Sequence, residues 1–206
     1  MIGALRFLLN PVQRLLIRFI PVDDPWERFP HNVPLRVFGV GAQRDFAWYF
    51  EGESAVTVSS VDEIQEWLLG CEYATDMHVF QSPDYWQHPR TFEQLRKGDC
   101  EDHALWAWRK LVELGVDAEF VVGAQLSRAG ELLDPPSRHA WVIIRAGNDT
   151  LLFETAAKER EHMLLPVDAN VRAQYRPEAS VDAQRKRHGY FGYALSVREH
   201  YARTRK

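Results

Sequence analysis

The spacing of hydrophobic residues predicts three helices. Residues 1–22 carry apolar side chains on one helical face and mostly polar or basic side chains on the other. A second helix runs from Ser60 to Gly70, because Ser60 and Glu63 have the spacing of a capping box and Gly70 marks a stop. The third covers residues 101–114, whose apolar residues follow the helical period and predict burial in the centre of a domain.

Short apolar runs rich in β-branched and aromatic residues predict strands. These runs cover residues 35–40, 46–50, 118–126, 139–145, 150–154 and 190–197. The runs at 139–145 and 150–154 flank a Gly-Asn-Asp turn at 147–149, which predicts a β-hairpin. His139 begins one strand of this hairpin and Glu154 ends the other, so we expect their side chains to lie side by side.

The remaining segments are polar or interrupted by proline, and we predict that they connect or cover the core. We therefore expect an N-terminal helical arm and connector over residues 1–30 and a single domain over 31–197. The polar stretch 156–183 should wrap the surface of that domain. Residues 198–206 form a basic tail.

Composition narrows the functional classes. The chain has 206 residues, of which 46% are apolar and 12% aromatic, enough to bury a core. Its net charge of −4 and the lack of a basic stripe argue against a nucleic-acid partner. Two cysteines in separate elements suggest a reducing compartment rather than a disulfide framework, and no pair of cysteines or histidines has zinc-site spacing.

The N-terminal arm bears on location. Charges interrupt residues 1–22 too often for a membrane span, and no small-residue cleavage site of a signal peptide follows. We expect a cytoplasmic protein. The amphipathic helix would dock on its own core or on a partner protein, and the alternative is that it lies on a membrane surface.

One stretch carries candidate chemistry. Cys100 stands between a Gly-Asp turn and the first turn of the third helix, where backbone N–H groups and the helix dipole favour a thiolate. Glu101 and Asp102 in the same turn oppose it, so His139 must act as the base. With Glu154 to orient the imidazole, these residues suggest nucleophilic acyl transfer.

The chain resembles the bacterial transglutaminase-like cysteine peptidase superfamily over about residues 60–155. The motifs that carry the resemblance are Asp84-Tyr85-Trp86-Gln87, Gly98-Asp99-Cys100-Glu101-Asp102, His139-Ala140-Trp141-Val142 and Phe153-Glu154. The resemblance implies a papain-like α+β fold, in which a nucleophile-bearing helix packs on an antiparallel sheet. It also implies Cys100 as nucleophile, His139 as general base and acid, and Glu154 as orienting group. Many members have aspartate at the last position, and glutamate is one methylene longer.

The same resemblance suggests the surroundings of the nucleophile. An oxyanion hole would combine the Cys100 backbone N–H with a side-chain donor from Gln87 or Trp86. Substrate would contact Tyr85 and Trp141, although the aromatic residues of the loop could equally cover the core.

One branch of the superfamily binds calcium through acids that flank the nucleophile. Asp99, Glu101 and Asp102 match that motif by position. We favour helix capping as the role of these acids, because negative charge suits the first turn of a helix without any metal. No cofactor is therefore expected, with calcium as the alternative.

Three functions remain open at this point. The first is a cysteine peptidase or amidase that acts on a protein or peptide through a thioester. The second is a protein-glutamine transglutaminase, in which an amine replaces water as the acceptor. The third is a binding or scaffolding module, in which His139 is a buried residue satisfied by Glu154.

Overall fold

The protein was analysed as a computed structural model that describes residues 19, 21–29, 32–128 and 130–204. The helix predicted over residues 1–22 lies almost entirely outside these residues. None of the described helices is long and apolar enough to span a bilayer.

A seven-stranded antiparallel sheet forms the framework of the described chain. The strands, numbered along the sequence, are β1 (Arg28–Phe29), β2 (Glu72–Tyr73), β3 (Lys97–Gly98), β4 (Ala118–Arg128), β5 (Glu131–Ala146), β6 (Asp149–Phe153), β7 (Leu164–Pro166), β8 (Tyr175–Val181) and β9 (Arg187–Tyr190). The large sheet has the order β1-β9-β8-β4-β5-β6-β7, and β2 pairs with β3 in a small parallel sheet. A mixed fold with a large antiparallel sheet was predicted and is confirmed.

The helices are α1 (Val61–Leu69), α2 (Asp76–Phe80), α3 (Pro89–Leu95), α4 (Cys100–Glu113), α5 (Ala169–Gln174) and α6 (Gly192–Arg203). Short 3-10 turns occupy Leu35–Val37, Trp48–Phe50 and Arg160–His162. At the start of α1, the hydroxyl of Ser60 accepts from the N–H of Glu63 at 3.2 Å, as predicted. The Glu63 carboxylate accepts from Ser59 rather than from Ser60.

The predicted hairpin is present as β5 and β6. Val142 pairs with Phe153, and Gly147 in the turn has a φ of +63°, a conformation that glycine adopts without strain. Strand β5 begins at Glu131, well before the predicted start at His139, because β4 and β5 continue as a long ladder beyond the core.

Helix α4 lies at the centre of the molecule. Leu105 and Trp108 of the helix share one apolar cluster with Phe120, Val142 and Phe153 of the sheet. Nearly every residue of the helix from Glu101 to Leu111 is buried, which is typical of a helix covered on several sides. Packing against the sheet and against the segments on its other sides therefore holds the N-terminal end of α4 in place.

The strands predicted at 35–40 and 46–50 are wrong. Phe46 and Tyr49 both point into the core, and their separation of three residues fits a helical turn rather than a strand. The ring of Phe46 packs edge-on to that of Phe38, with centroids 4.9 Å apart. Packing of these aromatic rings in the core therefore explains why residues 46–50 form a helical turn instead of a strand.

The C-terminal predictions also need correction. The segment predicted as a surface wrap contains β8, whose residues are all buried. Its charged residues are buried as partners in ion pairs, with Arg176 bonded to Glu199 of α6 at 2.7 Å and Glu178 to Arg138 at 3.1 Å. Helix α6 replaces the predicted strand at 190–197, and it continues through Arg203 of the predicted tail.

A buried ion pair joins α4 to the rest of the helical layer. Glu93 of α3 and Lys110 of α4 lie 3.7 Å apart, and both side chains are 2% exposed. Glu93 also accepts from the indole N–H of Trp106 and the backbone N–H of Ala55, each at 2.9 Å. Lys110 donates to the carbonyl of Val56 at 2.6 Å. Burial without water makes both charges dependent on these partners.

We predict that Glu93→Ala lowers the free energy of unfolding by about 3 kcal/mol, because the change leaves the buried ammonium of Lys110 and the buried indole N–H of Trp106 short of an acceptor. Glu113→Ala removes a half-exposed partner of Lys110 and should cost less than about 1 kcal/mol. Urea unfolding followed by tryptophan fluorescence compares the two. Equal effects would contradict this account of the buried pair.

Candidate functional site

Cys100 is the first residue of α4, and the chain reaches it through a very tight passage. A Cβ atom at Gly98 would lie 2.3 Å from Oδ2 of Asp102 and 2.7 Å from Nε2 of Gln87. Only glycine fits there without displacing both side chains. The Gly-Asp-Cys sequence therefore brings the backbone just before α4 close to the side chains of the first helical turn.

The surroundings of the sulfur differ from the prediction. The thiol of Cys100 donates to Oε2 of Glu101 at 3.2 Å, and the backbone N–H of Ala140 is near enough to the sulfur to act against the rise in its pKa. Burial raises the pKa of the Cys100 thiol well above its ordinary value, and the charges of Glu101 and Asp99 raise it further. The expected thiolate at the helix start is thus disfavoured by the acids on either side of it.

His139 and Glu154 lie together, as the hairpin predicted. Nε2 of His139 is 2.7 Å from Oε2 of Glu154, and both residues are buried. Glu154 follows the last residue of β6, so its side chain lies across the hairpin from the start of the buried part of β5. Burial raises the pKa of Glu154, but the His139 imidazole and two further donors outweigh it and hold the pKa below its ordinary value.

The structure brings the histidine strand to the cysteine. Ala140, which immediately follows His139 in β5, belongs to the core cluster against which Cys100 packs. Since Nε2 of His139 faces Glu154, Nδ1 is the ring nitrogen left for other partners. The sulfur, the imidazole and the carboxylate thus belong to one continuous region at the end of the sheet.

Five carboxylates crowd the start of α4. They are Asp76, Asp84, Asp99, Glu101 and Asp102. Single oxygens of Asp76, Asp84 and Glu101 lie within 4.8 Å of one another, and so do those of Asp76, Asp99 and Asp102. Burial, partly offset by the Tyr85 N–H and increased by Asp99 and Asp84, raises the pKa of Asp76 to about 6. The pKa values of Glu101 and Asp102 are raised as well, again chiefly by burial.

Several oxygens in this cluster are buried and unpaired. Within the described residues, no hydrogen bond reaches Oδ1 of Asp76, Oδ1 of Asp99 or Oε1 of Gln87. Buried polar atoms normally have partners, so three such atoms beside five carboxylates require a compensating group. A set made only of oxygen ligands suits a hard cation such as Ca²⁺.

The acids at the start of α4 are held in different ways. Asp99 occupies the N-cap position, yet its side chain makes no capping hydrogen bond, which corrects capping as its role. Glu101 and Asp102 lie in the first turn, where negative charge suits the helix dipole, as predicted. Asp102 also accepts from the backbone N–H of Gln87 at 2.8 Å and from its side-chain amide. Asp84 belongs to a motif that the sequence displays, but Asp76 comes from α2, and no spacing marked it.

Of the two predicted oxyanion donors, Gln87 is used elsewhere. The side-chain amide of Gln87 donates to the carbonyl of Lys97 at 2.9 Å and to Asp102, which uses both of its hydrogens and corrects the prediction for Gln87. Trp86 is buried, and its ring packs against Phe120 with centroids 5.5 Å apart. An oxyanion contact from the Trp86 indole stays a prediction.

Of the two predicted substrate contacts, one is buried. Trp141 is 0% exposed and packs against Tyr175 in a second apolar cluster, so its ring is a core residue. Tyr85 is 47% exposed and lies against Phe80, with ring centroids 4.7 Å apart. The prediction that Tyr85 contacts substrate stays a prediction.

Two tyrosines near the site were not predicted from the sequence. Tyr175 donates its hydroxyl to Oε2 of Glu154 at 2.9 Å, although its segment looked like a surface loop. Tyr73 is half exposed, and burial followed by the charges of Cys100 and Asp99 raises the pKa of its phenol. Neither residue has a neighbouring motif that would single it out.

Comparison with known proteins finds distant similarities only. No protein-family model and no curated protein matches the chain. Legionella pneumophila LapG is 22% identical, with a TM-score of 0.46 in an EGTA-treated form that covers 66% of this chain and 71% of its own. The calcium-bound form has the same identity, a TM-score of 0.44 and coverages of 67% and 76%. A candidate cysteine protease from Cytophaga hutchinsonii is 19% identical, with coverages of 60% and 39% and a TM-score of 0.38. Such scores decide nothing about activity.

Proposed function

We propose that the protein is a thiol-dependent hydrolase, a cysteine peptidase or amidase of the transglutaminase-like type. The observation that carries the proposal is the hydrogen bond between His139 and Glu154, because the residue after His139 in β5, Ala140, belongs to the core cluster against which Cys100 packs. A nucleophile, a base and an orienting acid are the parts that covalent acyl transfer needs. The substrate would be a protein or peptide amide.

In the first half of the reaction, His139 takes the proton of the Cys100 thiol and the sulfur attacks the amide carbonyl carbon. The imidazolium is stabilised by the ionised Glu154 carboxylate. His139 then gives its proton to the leaving amine as the C–N bond breaks, which leaves a thioester on Cys100. The backbone N–H of Cys100 lies at the helix start, where it has no intrahelical acceptor and can donate to the oxyanion.

In the second half, His139 removes a proton from water, and the resulting hydroxide attacks the thioester carbonyl. The C–S bond breaks, the carboxylic acid product leaves, and the thiol regains its proton from His139. If an amine attacked instead, the same steps would give transamidation. We favour water because it requires no second binding site.

The acidic cluster bears on a competing function. The raised pKa of Cys100 and its bond to Glu101 suit an inert thiol, which favours a binding module if nothing offsets the acids. We propose that Asp76, Asp84, Asp99, Glu101 and Gln87 hold Ca²⁺. A bound Ca²⁺ would supply positive charge beside the thiol and engage the carboxylate that now accepts its proton.

We predict that iodoacetamide labels Cys100 in the calcium-loaded protein at pH 7 much faster than Cys71, which is buried. His139→Ala should lower the Cys100 rate at least about tenfold, because the base is lost. Mass spectrometry of the labelled peptides measures both rates. If Cys100 is not labelled, or if its labelling rate is the same in the wild type and in His139→Ala, the binding module is favoured.

We predict that Cys100→Ala abolishes turnover of a peptide anilide library while the fold is retained, because the nucleophile is lost. Including a labelled primary amine distinguishes the two enzyme classes. Release of free acid indicates hydrolysis, whereas incorporation of the amine indicates a transglutaminase. If Cys100→Ala retains turnover, both the hydrolase and the transglutaminase hypotheses are contradicted.

We predict that calcium stabilises the wild type by about 2.7 kcal/mol when its concentration is a hundred times Kd, because only the folded cluster binds it. Asp76→Asn should abolish that gain. In EGTA the same variant should be at least as stable as the wild type, since it removes one of several crowded negative charges. Calorimetric Tm values with calcium and with EGTA measure both effects.

The control is Glu161→Gln, which alters an exposed acidic group made of Glu159, Glu161 and His162. This variant should keep the full calcium response. A calcium response that Asp76→Asn retains, or none in the wild type, would contradict the proposed site.

A further inference from the structure

The Glu154 carboxylate has a second donor besides the histidine. Tyr175 donates its hydroxyl to Oε2 of Glu154 at 2.9 Å, on the same oxygen that contacts Nε2 of His139. The other oxygen accepts more weakly from the backbone N–H of Ala156 at 3.4 Å. The acid is therefore held from three directions.

Tyr175 reaches Glu154 across two strands of the sheet, β4 and β5, because Glu154 follows β6. It starts β8, which is separated from β5 by β4, where Gln125 pairs directly with Tyr175. Gly123 of β4 lies between the two strands, and a Cβ atom there would be 2.7 Å from the Trp141 ring and 2.2 Å from the Arg176 carbonyl oxygen. The missing side chain lets the Trp141 ring and the β8 backbone approach β4 closely.

The ring of Tyr175 also contacts the residues that surround the imidazole. Its centroid lies 5.4 Å from that of Trp141 and 6.2 Å from that of His139. Tyr175 is buried, so the ring has little freedom to move away. One side chain thus touches both members of the histidine–glutamate pair.

A chain of polar contacts sets the direction of the tyrosine proton. Arg128 donates to Oε1 of Gln125 at 3.1 Å, which turns the amide nitrogen of Gln125 toward the Tyr175 hydroxyl at 3.5 Å. A hydroxyl that accepts from an amide directs its own hydrogen elsewhere. Here that hydrogen points to Glu154.

Glutamate needs this support more than aspartate would. Its additional methylene adds one rotatable bond, and each freely rotating bond lowers the fraction of conformers in which the carboxylate faces the imidazole. A carboxylate fixed by Tyr175 on one side and by Ala156 on the other can hold the imidazole without losing its charge.

We propose that Tyr175 is a positioning residue, which fixes the carboxylate of Glu154 so that His139 faces Cys100. The inference rests on the proposed function, because it assigns a task within that site. Tyr175 touches neither the sulfur nor the substrate in this role, and acts only through Glu154 and the imidazole.

The test is Tyr175→Phe, which removes the hydroxyl and keeps the ring. Two readouts are compared with the wild type, both at pH 7 in calcium chloride. The first is the downfield NMR signal of the His139 Nε2 proton, which should broaden or shift as the acceptor loosens. The second is the rate of Cys100 labelling by iodoacetamide, which should fall roughly tenfold.

Tyr190→Phe is the matched control. Tyr190 is also buried in the sheet and donates to a buried glutamate, Glu119, at 3.1 Å, away from the site. Its loss should cost similar stability and leave both readouts unchanged. If the two phenylalanine variants behave alike, the positioning role is overturned.

A double-mutant cycle separates positioning from general loosening. In a Glu154→Gln background, Tyr175→Phe should have almost no further effect on labelling, because residues that act as a unit are not additive. Additive effects would overturn the proposal. If Tyr175→Phe does not fold, Gln125→Leu replaces it, with the same readouts and a smaller expected fall in rate.

The outcomes also distinguish this inference from the proposed function. If His139→Ala leaves Cys100 labelling unchanged, the proposed function fails, whatever Tyr175 does to the NMR signal. If His139→Ala slows labelling while Tyr175→Phe changes neither readout, only the positioning role fails.

Discussion

Negative charge enclosed at the start of α4 is the constraint on which the site depends. Burial withholds the water that would normally solvate Asp76, Glu101 and Asp102, so their charges must be met by protons, donors or a cation. The chain meets part of this need itself, since the Gln87 amide and backbone serve Asp102. Within the described residues, Oδ1 of Asp76 and Oδ1 of Asp99 have no such donor. Their state therefore controls the sulfur next to them, and the cysteine cannot be understood apart from these acids.

The two halves of the site treat carboxylates in opposite ways. Glu154 is as buried as Glu101, yet its donors hold its pKa below the ordinary value, whereas burial, followed by the neighbouring acids Asp99 and Asp102, raises the pKa of Glu101. One half is complete with protein groups alone. The other half has buried carboxylate oxygens that no donor of the described chain meets, and these oxygens lie beside the thiol.

Sequence reasoning succeeded where the structure is local. The hairpin that joins His139 to Glu154 and the cap of α1 follow from residues close together in the chain. It failed where distant partners decide the outcome. Strand β8 looks polar, but Arg176 and Glu178 are buried because charges from α6 and β5 meet them. Asp76 likewise joins the acids only through the fold, so no spacing along the chain could have revealed it.

The shared oxygen of Glu154 has an evolutionary consequence. His139 and Tyr175 contact the same carboxylate oxygen of Glu154. The length of the acidic side chain at position 154 and the position of the tyrosine hydroxyl must therefore match each other. A shorter acid would withdraw that atom from one of its two donors. Positions 154 and 175 should therefore covary among homologues of this chain, so that glutamate occurs together with a tyrosine that reaches past β4 and β5, and aspartate with some other residue there.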